Sequence, residues 1–96
     1  MRVEIKKATQ KGKKLKAIFY DDEGKKLKTV AFGKLGASDF TKNKDEERKK
    51  RYDARHEPRE NWNDPMTAGA LAKYILWNLP TLKASIADFK KRFDLK

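Results

Sequence analysis

The stretch KLKAIFYDDEG, residues 14–24, predicts a strand that leads into the turn of a β-hairpin. Its apolar positions Leu15, Ala17 and Phe19 alternate with lysines in the period-two pattern of a strand that has one apolar and one cationic face. The glycine that ends the stretch can take the positive φ that closes a type I turn with a bulge. The pattern therefore predicts a sheet with lysines on the face away from the core.

Two further strands are predicted on either side of this one. Val3 and Ile5 alternate with charged residues in the first, and the third runs from Lys25 to about Phe32. Leu27 and Val30 of the third strand are an odd number of residues apart, so they should point to opposite faces. A β-bulge or a two-sided environment would reconcile them.

Three helices are predicted in the rest of the chain. The first runs from about Lys44 to His56 with Asn43 as a candidate N-cap, the second from Asp64-Pro65 to about Asn78, and the third follows Thr81. Two apolar stripes should form the core with the sheet: Leu71, Ala72, Ile75, Leu76 and Leu79, then Leu82, Ile86, Phe89 and Phe93. The predicted fold class is α+β, an N-terminal three-stranded antiparallel β-meander followed by three α-helices.

Length and charge indicate the size of the protein and the class of its partner. The 96 residues suit a single domain, 1–96, with a basic sheet part over 1–36 and a helical part over 37–96. The chain has 25 Lys and Arg against 14 Asp and Glu, a net charge of +11. Residues 1–36 alone hold 11 basic and 4 acidic residues. A one-signed surplus of this kind favours a polyanionic partner.

The same composition argues against several function classes. The chain has no cysteine and one histidine, His56, so thiolate zinc sites, cysteine nucleophiles and most histidine-based sites are missing. The spacing Gly33-Lys34-Leu35-Gly36 fits neither a Walker loop nor a dinucleotide fingerprint. We expect no enzyme activity, no metal and no cofactor. Because no apolar run approaches the length of a membrane span or a signal peptide, we also expect a soluble protein that is not secreted and has no membrane partner.

The first candidate binding surface is the lysine-rich face of the sheet. Strand geometry places alternate side chains roughly 6 to 7 Å apart, which suits phosphates, and six such contacts would give a slope of log affinity against log salt of about −5. The alternative is that the lysines keep the sheet soluble and guard its edges. An ordinary solvated face would mix glutamates with the lysines, however. The residues concerned are Lys11, Lys13, Lys14, Lys16, Lys25, Lys26 and Lys28.

The second candidate is one face of the first helix. Its basic residues recur at spacings of three and four, and like charges stacked this way repel by roughly 0.2 to 0.5 kcal/mol per pair. Carboxylates four residues away could neutralise them, Glu47 for Arg51 and Asp45 for Lys49, which would make a salt-bridged surface helix. Nucleic-acid phosphates could do so instead, since the arginine fork suits pairs of oxygens. The arginines of this face are Arg48, Arg51 and Arg55.

Aromatic residues form the third feature. Tyr74 and Trp77 lie on the side of the second helix opposite its apolar stripe, and Trp62 precedes that helix. They could stack on exposed bases. The alternative, which we predict, is a second small core that includes Phe40 and Tyr52 and attaches the charged helix to the rest.

From Phe32 onward the chain carries distinctive words in a fixed order. The words are Phe32-Gly33, Gly36, Ser38-Asp-Phe-Thr41, Asp45-Glu-Glu-Arg48, Arg51-Tyr52, Arg55-His56, Glu60-Asn-Trp62, Asp64-Pro65, Thr67-Ala-Gly69, Ile75-Leu-Trp-Asn78, Pro80-Thr-Leu82 and Ala84-Ser-Ile86. In them the chain resembles a family of small, basic, uncharacterised proteins encoded by large double-stranded DNA viruses of algae and other protists. The resemblance implies a viral origin and a shared fold, and it implies no activity.

These words also predict a polar network between the helices. Asp39 is well placed to accept a hydrogen bond from Arg51 or Arg55, and Asn61, Trp62 and Asp64 could join the first helix to the second. If Asp39 has such a partner, its loss should cost roughly 3 to 5 kcal/mol, far more than the loss of a surface charge.

Together these features predict a viral nucleic-acid-binding protein without sequence preference. The expected ligand is double-stranded DNA rather than RNA, compacted through phosphate contacts in the virion or in the host nucleus or cytoplasm. The alternative is a virion structural or assembly protein that binds a protein partner such as a capsid protein. Binding of RNA or of a single strand would require Trp62, Trp77 or Tyr74 to be exposed. The sequence does not predict the oligomeric state.

Overall fold

The computed structural model describes residues 1–59 and 61–96, and its elements follow the predicted order of strands and then helices. The strands are β1 (Arg2–Lys7), β2 (Lys13–Tyr20) and β3 (Lys26–Lys34), and the helices are α1 (Phe40–Asn43), α2 (Glu46–His56), α3 (Ala68–Leu71) and α4 (Leu82–Arg92). A 3-10 turn spans Glu57–Arg59, and a π-helical turn, Ala72–Leu76, continues α3. The α+β class is confirmed. Glu60, part of one word of the resemblance, lies outside the described residues.

The sheet is an antiparallel meander in the order β1-β2-β3, and it contains the predicted bulge. Phe19 pairs with Lys28 while the next residue of β2 pairs with Lys26, so Leu27 is left over. Because directly opposed residues share a face, Lys28 lies on the same side as Phe19. The prediction that Lys28 shares a cationic face with Lys16 is therefore wrong, because Lys28 is two residues from Val30, which pairs with Ala17 on the core side. The extra residue in β3 moves Lys26, and not Lys28, to the other face.

One hydrophobic core joins the sheet to the helices. Its buried members are Val3, Ala17, Phe19 and Phe32 from the sheet, Phe40 from α1, Leu71, Ile75, Leu76 and Trp77 from α3 and its continuation, and Phe89 and Leu95 from α4 and the residues after it. The two predicted stripes supply most of the helical part. Two predicted members lie outside the core: Leu82 at the start of α4 is exposed, and Leu79 is half-buried without joining the cluster.

The first predicted helix is two helices with a break between them. Asn43 is the last residue of α1 and not the N-cap of the long helix, because Lys44 takes a left-handed conformation with φ 52°. Asp45 caps α2 instead, and its Oδ1 accepts from the backbone N–H groups of Glu47 and Arg48. The caps of both helices are aspartates, since Asp39 caps α1 by accepting from the N–H of Thr41.

The second predicted helix begins three residues later than expected. Asp64 accepts from the N–H of Met66 in a turn, and Thr67 provides the N-cap of α3 by accepting from the N–H of Ala70. The segment ends in a π-helical turn in which the N–H of Trp77 donates to the C=O of Ala72. Within residues 1–59 and 61–96, no helix is long and apolar enough to span a membrane.

A glycine is required at position 33, near the end of β3, for two reasons: its backbone conformation and the close packing around it. Its φ is +79°, and a Cβ there would lie 2.9 Å from Cδ1 of buried Leu76 and 3.1 Å from Cβ of Lys14. Gly36 has a similar φ of +84° and open space around it. Each substitution by alanine pays the left-handed penalty of about 1 to 2 kcal/mol, and Gly33→Ala adds an overpacking cost of about 1 to 3 kcal/mol.

We expect Gly33→Ala to lower the free energy of unfolding by at least about 1 kcal/mol more than Gly36→Ala, measured by urea denaturation. Equal losses in the two variants would contradict the close packing of β3 against the π-helical turn.

Candidate nucleic-acid interface

One exposed face of α2 carries three arginines that have no acidic partner in the part of the chain that the structure describes. Arg48, Arg51 and Arg55 are exposed, and none of them forms an ion pair with any residue in 1–59 or 61–96. The two helix pairs that could have neutralised this face are absent from the same residues. The Asp45 carboxylate caps the helix instead of reaching Lys49, and Glu47 makes no bridge to Arg51. The reading of α2 as a salt-bridged surface helix is therefore wrong.

A few contacts hold α2 against the core, although none of its residues is buried. The ring of Tyr52 stacks on Trp77 at 4.7 Å between centroids with 10° between the planes. On the neighbouring side, Asp53 forms an ion pair with Lys73 at 2.8 Å, and Nζ of Lys73 lies 5.0 Å from the ring of Trp62. These contacts orient the helix so that the arginines stay exposed to solvent.

A cleft, which we call the basic groove, lies between α2 and the end of the sheet formed by the start of β2 and the end of β3. It has a volume of about 570 Å³, and it is open to solvent. Lys13 and Lys34 lie on the sheet side, Arg48 and Arg55 lie on the helix side, and Ala68 belongs to a wall of small residues. A smaller pocket of about 250 Å³ adjoins it and adds the third arginine of α2.

Lys13 and Lys34 are cross-strand neighbours, since they face each other in the β2–β3 register. Like charges directly opposite each other in a sheet are unfavourable. The pair therefore adds to the positive potential that the arginines create on the other side of the groove. An anion bound between the lysines and the arginines would reduce the repulsion within each group.

Lys14 is part of a buried ion pair. Its Nζ lies 2.5 Å from Oδ2 of Asp39 and 2.6 Å from the C=O of Ala37, and Thr41 donates to the other carboxylate oxygen. The side chain of Lys14 is 13% exposed and that of Asp39 is 2% exposed. The prediction that Asp39 accepts from Arg51 or Arg55 is wrong, because the lysine of β2 reaches it first. Lys14 therefore stabilises the fold at the edge of the groove, and its charge is already paired.

The remaining predicted lysines do not form one continuous surface. Lys11 lies in the turn before β2, beside the groove, because the C=O of Gly12 accepts from the N–H of Leu35 at the end of β3. Lys25 and Lys26 lie at the opposite end of β2, which spans about 23 Å. Lys16 faces away from the core opposite Lys6. Of the ten predicted site residues, the groove and its pocket bring together Lys13, Lys14, Arg48, Arg51 and Arg55.

The predicted second aromatic core is part of the main core. Trp77 is only 9% exposed and Phe40 is buried in the same cluster, with Tyr52 and Tyr74 packed against it. Trp62 is half-buried against Lys73 outside that cluster. Within residues 1–59 and 61–96, the contacts of Lys73 are what remains of the predicted polar network on this side. The side chains of Asn61 and Asp64 accept hydrogen bonds within their own turns.

The groove contains residues that the sequence did not indicate. His56 stacks on Tyr52 at 4.3 Å, and Tyr52 stacks in turn on Trp77, so both faces of the tyrosine ring are covered. Lys34 and the small residues Ala68, Gly69 and Ala72 also line it. The signals that could have found them are the spacing of four between Tyr52 and His56 and the run of small residues after the Thr67 cap.

Three groups with shifted pKa values, Glu4, Tyr20 and Asp22, lie at the other end of the sheet. The hydrogen bond from Tyr20 to Glu4 lowers the pKa of Glu4 and raises the pKa of Tyr20. The terminal ammonium of Met1 donates a hydrogen bond to Oδ1 of Asp22 at 2.6 Å, and this bond and its positive charge lower the pKa of that carboxyl. Among the described residues, no three His, Asp or Glu side chains are grouped so that they could hold a metal ion.

The profile of a family of unknown function, DUF5754, matches residues 3–56. The chain belongs to this family. The DUF5754 match spans the whole sheet, α1 and α2, so it includes the lysine-rich strands before Phe32 as well as the arginine face. The words of the viral resemblance that come after His56 lie beyond it. No curated protein and no solved structure matches the chain.

Proposed function

We propose that the protein binds nucleic acid through phosphate contacts without sequence preference, with double-stranded DNA as the expected ligand. The observation that carries the proposal is the arginine face of α2, where Arg48, Arg51 and Arg55 have no carboxylate partner in the described structure. Lys13 and Lys34 add charge from the facing wall of the basic groove. Exposed cations of one sign that converge on a concave surface focus a positive potential there.

The proposed contacts position a nucleic acid and do not read its bases. Guanidinium and ammonium groups hold phosphate oxygens, which are the same for every sequence. The exposed polar residues of α2 are charged, and the helix has no asparagine or glutamine to pair with a base edge. Specificity for sequence should therefore be low.

The biological setting of the proposal is a large double-stranded DNA virus, the origin that the resemblance implies. A small protein that neutralises phosphates along a duplex would serve compaction or packaging of such a genome. Lys16, Lys25, Lys26 and Lys28, which lie away from the groove, would then contribute to long-range attraction and to contacts with neighbouring DNA.

Salt dependence of binding tests this proposal. Five phosphate contacts, from three arginines and two lysines, predict a slope of log affinity against log salt of about −4.5 for duplex DNA, and a loss of about 500-fold between about 50 and 200 mM salt. Fluorescence anisotropy with a labelled duplex measures it, with a second duplex of scrambled sequence as a control for specificity. An affinity that stays flat over this range would contradict phosphate binding.

A protein ligand is the alternative. If duplex DNA fails to bind with a dissociation constant below about 10⁻⁴ M at low salt, the nucleic-acid proposal is wrong. A virion structural or assembly role, in which the arginine face meets an acidic surface of a partner, would then take its place.

A further inference from the structure

We infer that the basic groove takes the sugar–phosphate backbone of an unpaired nucleic-acid strand, such as a strand end or a gap in a duplex. This inference rests on the proposed function and specifies which form of nucleic acid enters the groove. A duplex is too wide to enter, so it would lie across the mouth of the groove and contact the cations on both sides from outside.

The size of the groove excludes a duplex from its interior. Its volume of about 570 Å³ is that of a pocket for a small molecule, in the range of about 300 to 1,000 Å³. A duplex is much larger, since its major groove alone is about 12 Å wide. One or two nucleotide units of a single strand match the available space.

Cations approach the groove from two sides. Lys13 and Lys34 come from the sheet, whereas Arg48 and Arg55 come from α2. A strand within a duplex has one side occupied by its own bases and by the complementary strand, so it can be reached only from outside. An unpaired strand can lie between the two walls and contact both.

The wall between the two rows of cations is formed by small residues. Ala68, Gly69 and Ala72 line it. The π-helical turn joins Ala72 to Trp77 by a backbone hydrogen bond, and Trp77 also lines the groove. Small side chains let a backbone approach closely. Of the described residues that line the groove, Asp39 alone carries a carboxylate, and Lys14 already neutralises it at 2.5 Å. An incoming phosphate therefore meets no uncompensated carboxylate from residues 1–59 and 61–96.

Among the described residues, the rings of Tyr52 and Trp77 give a base no open face in the groove. Both faces of the Tyr52 ring are covered, by His56 and by Trp77, and Trp77 is 9% exposed. Stacking on aromatic rings is the usual way in which proteins hold unpaired bases. With these two rings covered, we expect the groove to recognise sugar and phosphate, with the bases pointing to solvent.

The test compares four duplexes of about 20 base pairs that share one sequence. One is blunt, and the others carry an overhang of about five nucleotides that is normal, abasic or made of uncharged methylphosphonates. At constant salt we expect the normal and the abasic overhangs to bind at least about 10-fold more tightly than the blunt duplex, and the methylphosphonate overhang to bind like the blunt duplex. Equal affinities for the blunt duplex and the normal overhang, or loss of the gain with the abasic overhang, would overturn the inference.

A variant that fills the groove provides an independent test. Ala68 is exposed at the start of α3, so Ala68→Phe should fold, and it adds a ring to the small-residue wall without changing charge. We expect it to remove the gain from the overhang and to leave affinity for the blunt duplex within about 2-fold. Ala87→Phe, on an exposed position of α4, is the matched control and should keep the gain.

The two proposals fail in different ways. If no duplex binds, the proposed function itself is wrong. If the blunt duplex binds with the expected salt dependence and an overhang or Ala68→Phe changes nothing, the proposed function stands and the unpaired-strand inference is wrong.

Discussion

Reversing two arginines of α2 should reduce binding to duplex DNA on the order of 100-fold at about 100 mM salt. The variant is Arg48→Glu with Arg55→Glu, and both residues line the basic groove and its adjoining pocket. The loss of two phosphate contacts should also lower the salt slope by about 1.8. Because both side chains are exposed and α2 has no buried residue, folding should change by less than about 1 kcal/mol. Anisotropy over a salt series measures both effects.

A closely matched control lies on α4. Lys83→Glu with Lys91→Glu changes the net charge by the same amount and occupies equivalent places, one in the first turn of an eleven-residue helix and one next to its end. Neither lysine lines the basic groove or the adjoining pocket. We expect the control to lower affinity by less than about 5-fold, through net charge alone. Equal losses for the two double variants would show that total charge, and not the arginine face, sets the affinity.

The largest effect on stability is expected from Asp39→Ala. Asp39 as a whole is 1% exposed. Its carboxylate accepts from Lys14 and from the N–H and hydroxyl of Thr41, and so joins β2 to the N-terminus of α1. Its removal leaves the ammonium of Lys14 in a largely buried place without a counter-charge. Loss of one partner of a buried pair costs about 3 to 5 kcal/mol, and we expect a loss of that size by urea denaturation.

A double variant separates the pair from the cap. Lys14→Met with Asp39→Asn removes both charges and keeps acceptors for Thr41, so it should be more stable than Asp39→Ala. Asp22→Ala serves as the control. The Asp22 side chain is 89% exposed in its pair with the terminal ammonium, so its loss should lower the free energy of unfolding by less than about 1 kcal/mol. A loss below about 1 kcal/mol for Asp39→Ala would contradict a buried ion pair.

Local rules were sufficient for much of the fold. The alternation around Phe19 gives the strand and its buried face, and the parity of Leu27 and Val30 indicates the bulge that the register shows. The Thr81 cap and the stripe that includes Phe89 give α4 almost as observed. These features depend on neighbours within a few residues, which a sequence displays directly.

Contacts between distant residues could not be predicted in the same way. Lys14 and Asp39 are 25 positions apart, and two arginines of α2 were equally plausible partners for the carboxylate until β2 and α1 were placed side by side. The sequence does not predict the turn at Lys44, because a lysine gives no strong local signal for a positive φ. This turn places the N-cap of α2 at Asp45 and not at the predicted Asn43.

The candidate site was predicted in part for the same reason. The spacing of Arg48, Arg51 and Arg55 on one helical face follows from the 3.6-residue period, so the sequence found them. Their position opposite Lys13 and Lys34 follows from the tertiary fold, and the lysine face proposed for the whole sheet breaks up because β2 extends about 23 Å.

Mapping of the bound surface by NMR tests the central claim that free cations converge on the basic groove. During titration of a short duplex, the arginine Nε–H and backbone amide signals of α2 should shift together with those of residues 12–14 and 33–35, while those of α4 stay in place. Shifts that spread evenly over the molecule, or that concentrate on α4, would contradict the account.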